Sequence, residues 1–274
     1  MFKDYRFVPD RTGRPDIKHI RNQRSPCYMD TVPRFPEIDA ARGIAILMMV
    51  LFHTMFDLNF FNIAPINVAT GFWRYFAMAT ASLFLLLVGI SLVVSHARSA
   101  AKLTGFALTK KFLFRGAGIF VLGLLVTLVT WWYLREGYII FGILHLIGVS
   151  VMLSVLFFRF GKYNILLGLL CIAGGFFIGN VSGPIWLLPL GIYPVSFTSV
   201  DYTPLIPWFG AVLVGMGVGE FLYAGGVRRF EAPHLPDRVA TPLTFLGQHS
   251  LIIYLVHQPV IILLLGAVTG TRVL

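Results

Sequence analysis

The chain has 274 residues, 57% of them hydrophobic and only 12% charged, about half the charged share of an ordinary soluble domain. With a mean hydropathy of +0.80, these values argue against a soluble globular protein and exclude a disordered one. The formal net charge of +10 could signal nucleic-acid binding. The basic residues flank long apolar runs, however, so membrane topology explains them and no nucleic-acid partner is expected.

Residues 1–37 form a polar, basic tail without the apolar h-region of a cleavable signal peptide. Seven apolar spans follow, at roughly 38–61, 72–94, 112–133, 139–158, 163–178, 205–223 and 243–268. The fifth is short and rich in glycine. The stretch 185–197 is apolar but broken by Pro189 and Pro194, which suits a re-entrant or interfacial segment. In the sixth span, Gly215, Gly217 and Gly219 have the spacing of close helix approach. Glu220, at its end, is expected to pair with Arg228 or Arg229. Cys27 and Cys171 are the only cysteines, so neither a disulfide framework nor a cysteine metal site is expected. The chain reads as an all-α integral membrane protein. It is a polytopic helical bundle of about seven spans, with short or re-entrant helices between them, and residues 38–274 form its domain.

Nineteen of the 22 Lys and Arg residues fall on the side of the tail, the 2–3 connection, the 4–5 loop and the 6–7 loop. Only Arg74, Arg135 and Arg272 fall on the other. The positive-inside rule places the N-terminus in the cytoplasm, the C-terminus outside, and the protein in the cell membrane. Trp73, Trp131, Trp132, Trp186 and Trp208 gather toward the outer ends, as interface anchors do.

Ionisable side chains within spans are costly and tend to be functional. His53 and Asp57 lie in the first span, His145 in the fourth and His257 in the seventh. His53 is fourteen residues past Asp39 and His257 fourteen past Leu243, so each lies ~21 Å from the cytoplasmic entry. His145, seven past Tyr138, lies ~10 Å below the outer face. All three are expected at one level of a ~30 Å core. Each could instead simply hydrogen-bond a neighbouring helix. Asp57 follows His53 at i+4, where a carboxylate can orient an imidazole as general base; it can equally cap the helix end. Arg42 precedes His53 by eleven residues, or three turns, so the two share a face ~16 Å apart. With Arg115 and Lys111 it could hold a phosphate-rich ligand at the cytoplasmic mouth, or serve only as a positive-inside anchor. A ligand with phosphates at that mouth and a long thin arm, such as coenzyme A, would reach His53.

The stretch 37–53, EIDAARGIAILMMVLFH, resembles the first helix of transmembrane acyltransferases, with their Arg–His spacing at Arg42 and His53. Four further stretches are similar to prokaryotic relatives of heparan-α-glucosaminide N-acetyltransferase: TMFDLNFF at 54–61, FGILHLIG at 141–148, DYTPLIPWFG at 201–210 and LGQHSLIIYLVHQP at 246–259. The resemblance implies transfer of an acetyl group from cytoplasmic acetyl-CoA, a co-substrate rather than a bound cofactor. The acceptor would be an extracytoplasmic sugar or glycan amine or hydroxyl. It also implies that His53 is the catalytic histidine and Arg42 an acyl-CoA contact. His53, aided by Asp57, would then take the acceptor proton, either directly or with a covalent acetyl-histidine. His145 or His257 would stabilise the oxyanion or hold the acceptor. Asp201, Tyr202 and Trp208 would line the acceptor's entry. A homo-oligomer is left open. Buried His and Asp also suit a proton-coupled secondary transporter, although no internal repeat is visible. A His–His haem carrier is a third reading.

Overall fold

The computed structural model describes residues 34–179, 181–232 and 235–270. Most of the expected tail, Cys27 and Arg272 lie outside the described residues. Among the described residues, six helical stretches are long and apolar enough to cross a membrane. The chain is an all-α polytopic membrane protein. Helix α1 (Pro36–Phe60) opens with a proline in its first turn, followed by Glu37 and Asp39, which match the free N–H groups and positive end of the helix dipole. Helices α2 (Gly71–Ala100) and α3 (Gly105–Leu134) have 30 residues each, ~45 Å, more than the ~30 Å core needs. Both outrun their apolar cores toward the basic end. Arg98, Lys110 and Lys111 are good helix formers whose stems reach the interface.

The fourth stretch, Ile143–Ile178, is folded back at Gly161, whose φ of 50° and ψ of −126° only glycine adopts readily. It divides into α4 (Ile143–Phe157) and α5 (Asn164–Ile178), each only ~22 Å long. The spans expected at 139–158 and 163–178 are these two arms. Helix α6 (Leu205–Leu222) follows. Between α5 and α6, the stretch expected to be re-entrant or interfacial holds a six-residue 3-10 turn, Ile185–Leu190, and a single parallel bridge from Ser182 to Tyr193. At ~12 Å that turn is too short to cross.

The expected seventh span, 243–268, is corrected to two helices. An amphipathic α7 (Asp237–Gln248) runs antiparallel to the start of α1, with Leu243 against Gly43 and Gly247 against Asp39. The chain turns at His249, and α8 (Ser250–Thr269) returns alongside α1. His257 is therefore seven residues into its helix, not fourteen. The bundle is closed by glycine contacts. Gly116 of α3 meets Gly148 of α4, and Gly168 of α5 meets Gly210 of α6. Gly215 and Gly219 of α6 meet Leu86 and Ile90 of α2, so these two helices run parallel. A Cβ on Gly215 would collide with the Leu86 carbonyl, so the close approach expected of the glycine triplet is made. The dry centre includes Leu85, Leu92, Phe112, Leu146, Val212 and Met216. Trp131, Trp132 and Trp186 are exposed.

Candidate active site

Helices α1 and α8 bring two histidines together. The rings of His53 and His257 stand edge to face, with centroids 4.8 Å apart. His53 Nδ1 lies 2.9 Å from the Met49 carbonyl oxygen, and His257 Nδ1 lies 2.6 Å from that of Tyr254. A carbonyl oxygen can only accept, so in each ring Nδ1 carries the proton. Each neutral ring then offers the Nε2 lone pair, the form needed of a base or nucleophile. The direct ring contact leaves no room between this pair for a haem plane.

Asp57 is 1% exposed and stands one turn beyond His53 on α1. Its Oδ1 accepts a hydrogen bond of 2.7 Å from Gln258 Nε2 on α8. Orientation of His53 by Asp57, suggested by their spacing, is not made: the His53 proton goes to its own helix. Asp57 instead ties α1 to α8. Asp57 Oδ2, His257 Nε2 and Gln258 Oε1 are buried and have no hydrogen-bond partner among the described residues. All three atoms are free to accept from an N–H or O–H donor. Gln258, missed in the sequence, follows His257 directly and would have been readable as its neighbour in the same turn.

His145 does not join this pair. It sits in the first turn of α4, where its Nδ1 accepts the Gly142 N–H at 3.3 Å and its Nε2 faces Thr127 Oγ1 at 3.4 Å. Its ring packs on Gly123 and between Phe120 and Phe141. Both nitrogens are engaged in capping and packing, unlike those of His53 and His257. Asp201 supports the same helix start. It accepts the Ile143 N–H at 3.2 Å and the Thr203 hydroxyl at 2.8 Å. The loop before α6 is thereby fixed at the start of α4, beside His145. Tyr202 donates to the Leu188 carbonyl at 2.7 Å. Burial, together with neighbouring Tyr193, pushes its hydroxyl up to about 12, so it remains a donor. Trp208 packs against the central core from the first turn of α6.

The opposite end of α1 carries a cavity of about 270 Å³ lined by Arg34, Arg42, Arg98 and Arg115, with Asp39 as its one carboxylate. Arg42 pairs with Asp39 at 2.9 Å and donates to Ser91 Oγ at 2.7 Å and to the Gly247 carbonyl at 3.2 Å. Arg115 donates to Ser95 Oγ at 3.2 Å, and Lys111 to Ser99 Oγ at 2.6 Å. Arg42 and Arg115 therefore share one cavity, as expected, while Lys111 stands one turn beyond it. Arg34 and Arg98 join them. Nothing in the sequence separated those two from simple topology anchors. Among the described residues, no group of three or more His, Cys, Asp or Glu could share a metal ion.

The family model described as heparan-alpha-glucosaminide N-acetyltransferase, catalytic, matches residues 34–259. No curated protein matches. No solved structure does either.

Proposed function

Because the chain belongs to the heparan-α-glucosaminide N-acetyltransferase catalytic-domain family, a family of membrane acyltransferases, we propose that it moves an acetyl group from acetyl-CoA to an acceptor held beside His53. The positive-inside bias puts the arginine cavity on the cytoplasmic side and the acceptor on the other. The observation that carries this reading is the single helix α1. Arg42 lines the four-arginine cavity, while His53, three turns on, faces His257. A phosphate-rich head fits guanidinium forks. An extended arm must then cover the ~16 Å between those turns.

In this reading, the adenine-nucleotide phosphates rest on Arg34, Arg42, Arg98 and Arg115. The thioester lies at the His53 level. His53 Nε2 takes a proton from the acceptor amine or hydroxyl as that atom bonds the acetyl carbon. The carbon–sulfur bond breaks, and the imidazolium returns the proton to the departing thiolate. His257 Nε2, Asp57 Oδ2 and Gln258 Oε1 accept hydrogen bonds from the acceptor. Three unpartnered acceptors on facing helices suit a polyhydroxylated or amino-bearing molecule, so a sugar or glycan amine or hydroxyl is the preferred acceptor. His145 and Asp201 hold the start of α4 and the adjoining loop.

The test is transfer of label from radiolabelled acetyl-CoA to glucosamine and other amino sugars by the purified protein. Wild type and His53→Ala are compared, with coenzyme A binding measured alongside. Loss of a general base costs about 10²–10⁴-fold in rate. His53→Ala is expected to lose that much turnover while still binding coenzyme A. Full turnover in the variant would remove His53 from the chemistry.

A further inference from the structure

A second cavity, of about 240 Å³, lies across α2 from the arginine cavity. Ser91, Val94, Ser95 and Arg98 face the first cavity; Val93, His96 and Ala97 face the second. At 100° per residue these are opposite sides of one helix. The second cavity is walled by Phe158 and Gly161 of the α4–α5 reversal, Asn164 at the start of α5, and Met216 and Glu220 of α6. None of the acyl-transfer groups lines it.

Its polar groups are mismatched in one direction. Asn164 is 1% exposed. Its Nδ2 donates to the Phe157 carbonyl at 2.9 Å, while its Oδ1 is buried with no partner among the described residues. Glu220 was expected to pair with Arg228 or Arg229. Arg228 instead reaches Glu37 at 3.3 Å, and among the described residues no ion pair joins Glu220. The basic residues of the reversal face elsewhere: Arg159 lies over the Phe160 ring and Lys162 over that of Tyr163. No Lys or Arg lines this cavity. His96 stacks on Phe158 with centroids 4.0 Å apart and lines the same cavity as Glu220. A carboxylate, an orphan carbonyl oxygen and an imidazole thus converge where no cation is supplied. Gly161, at φ 50°, sets the reversal beside this wall, with its Cβ position in ordinary contact distance, 3.6 Å, of Glu220 Cγ.

We infer that this cavity binds a primary ammonium group, with Glu220, Asn164 Oδ1 and His96 as its acceptors. A primary ammonium has three donors and no acceptor, matching the three groups. The half-buried Glu220 carboxylate, with no cation beside it, favours a charged donor over a neutral one. The cavity opens at the end of the bundle where lipid headgroups and solvent meet. The ammonium can therefore come from an ethanolamine headgroup or from a soluble amine.

The experiment uses the full chain. Lipid retention is read by native mass spectrometry after release from nanodiscs of equal phosphatidylethanolamine and phosphatidylcholine. Thermal unfolding in detergent is followed with ethylammonium chloride against tetramethylammonium chloride. Methylation removes the donors and keeps the charge. About tenfold enrichment of phosphatidylethanolamine is expected, the size of one charge-assisted hydrogen bond. It should fall toward unity in Glu220→Gln, whose amide keeps the shape. Stabilisation by ethylammonium over tetramethylammonium, without lipid preference, would support the site with a soluble amine as its ligand. Equal retention of both lipids together with equal effects of both salts overturns the proposal, and this wild-type comparison needs no variant to fold. A lipid preference undiminished in Glu220→Gln overturns it as well.

Discussion

His53 and His257 differ from His145 in the hydrogen bonds that their ring nitrogens make. His53 and His257 give Nδ1–H to carbonyls of their own helix, leaving Nε2 for chemistry, whereas His145 spends both nitrogens on the start of α4. Spacing alone could not separate these cases, because each histidine occurs in a similar apolar run. The same limit applies to charge. Arg98 reads in sequence as an anchor, and only its place in one cavity with Arg34, Arg42 and Arg115 makes it a candidate to bind phosphate. Arg98→Gln is expected to raise the KM for acetyl-CoA about tenfold, the loss of roughly one charge-assisted hydrogen bond, with kcat unchanged. Initial rates across acetyl-CoA concentration would check this. A fall in kcat at constant KM would place Arg98 outside donor binding.

Helix existence was legible from apolar run length, and α1, α5 and α6 begin within two residues of the expected positions. Three boundaries were not legible. Charged residues end an apolar run without ending a helix, so α2 and α3 continue toward the basic end. The run 243–268 stays apolar through the turn at His249, because that turn depends on Gly247 packing against Asp39 of α1, a contact invisible in local sequence. The His53–His257 encounter follows from the resulting return of α8. The glycine contacts between helices admit a direct test. Gly215→Val forces a side chain into the Leu86 backbone, and overpacking of this kind costs about 1–3 kcal/mol or more. Gly118 of α3 has nothing within 4 Å of its Cβ position, and Gly118→Ala should be neutral or stabilising by up to ~1 kcal/mol. Thermal melts of the two variants in one detergent should move in opposite directions, or leave Gly118→Ala unmoved. Equal losses would mean that α2 and α6 do not meet at Gly215.

At the scale of the whole molecule, the bundle separates two chemistries by about half a membrane. One end gathers guanidinium groups in a cavity suited to phosphate. The other gathers unpartnered acceptors and two imidazoles. Helix α1 runs between them, and the proposed reaction has donor and acceptor approach from opposite sides. That division serves transfer across a bilayer only if the arginine end faces the compartment that supplies acetyl-CoA. The charge bias assigns that end to the cytoplasm, and the assignment can be checked with single cysteines. Lys102 lies in the exposed α2–α3 connection at the arginine end, and Asn67 in the α1–α2 connection at the histidine end. In a background with Cys27→Ser and Cys171→Ser, a membrane-impermeant maleimide should label Asn67→Cys in intact cells. Lys102→Cys should label only after lysis. The reverse pattern would turn the molecule over, so that the phosphate cavity faced outward, away from cytoplasmic acetyl-CoA, and the proposed direction of transfer would fall with it.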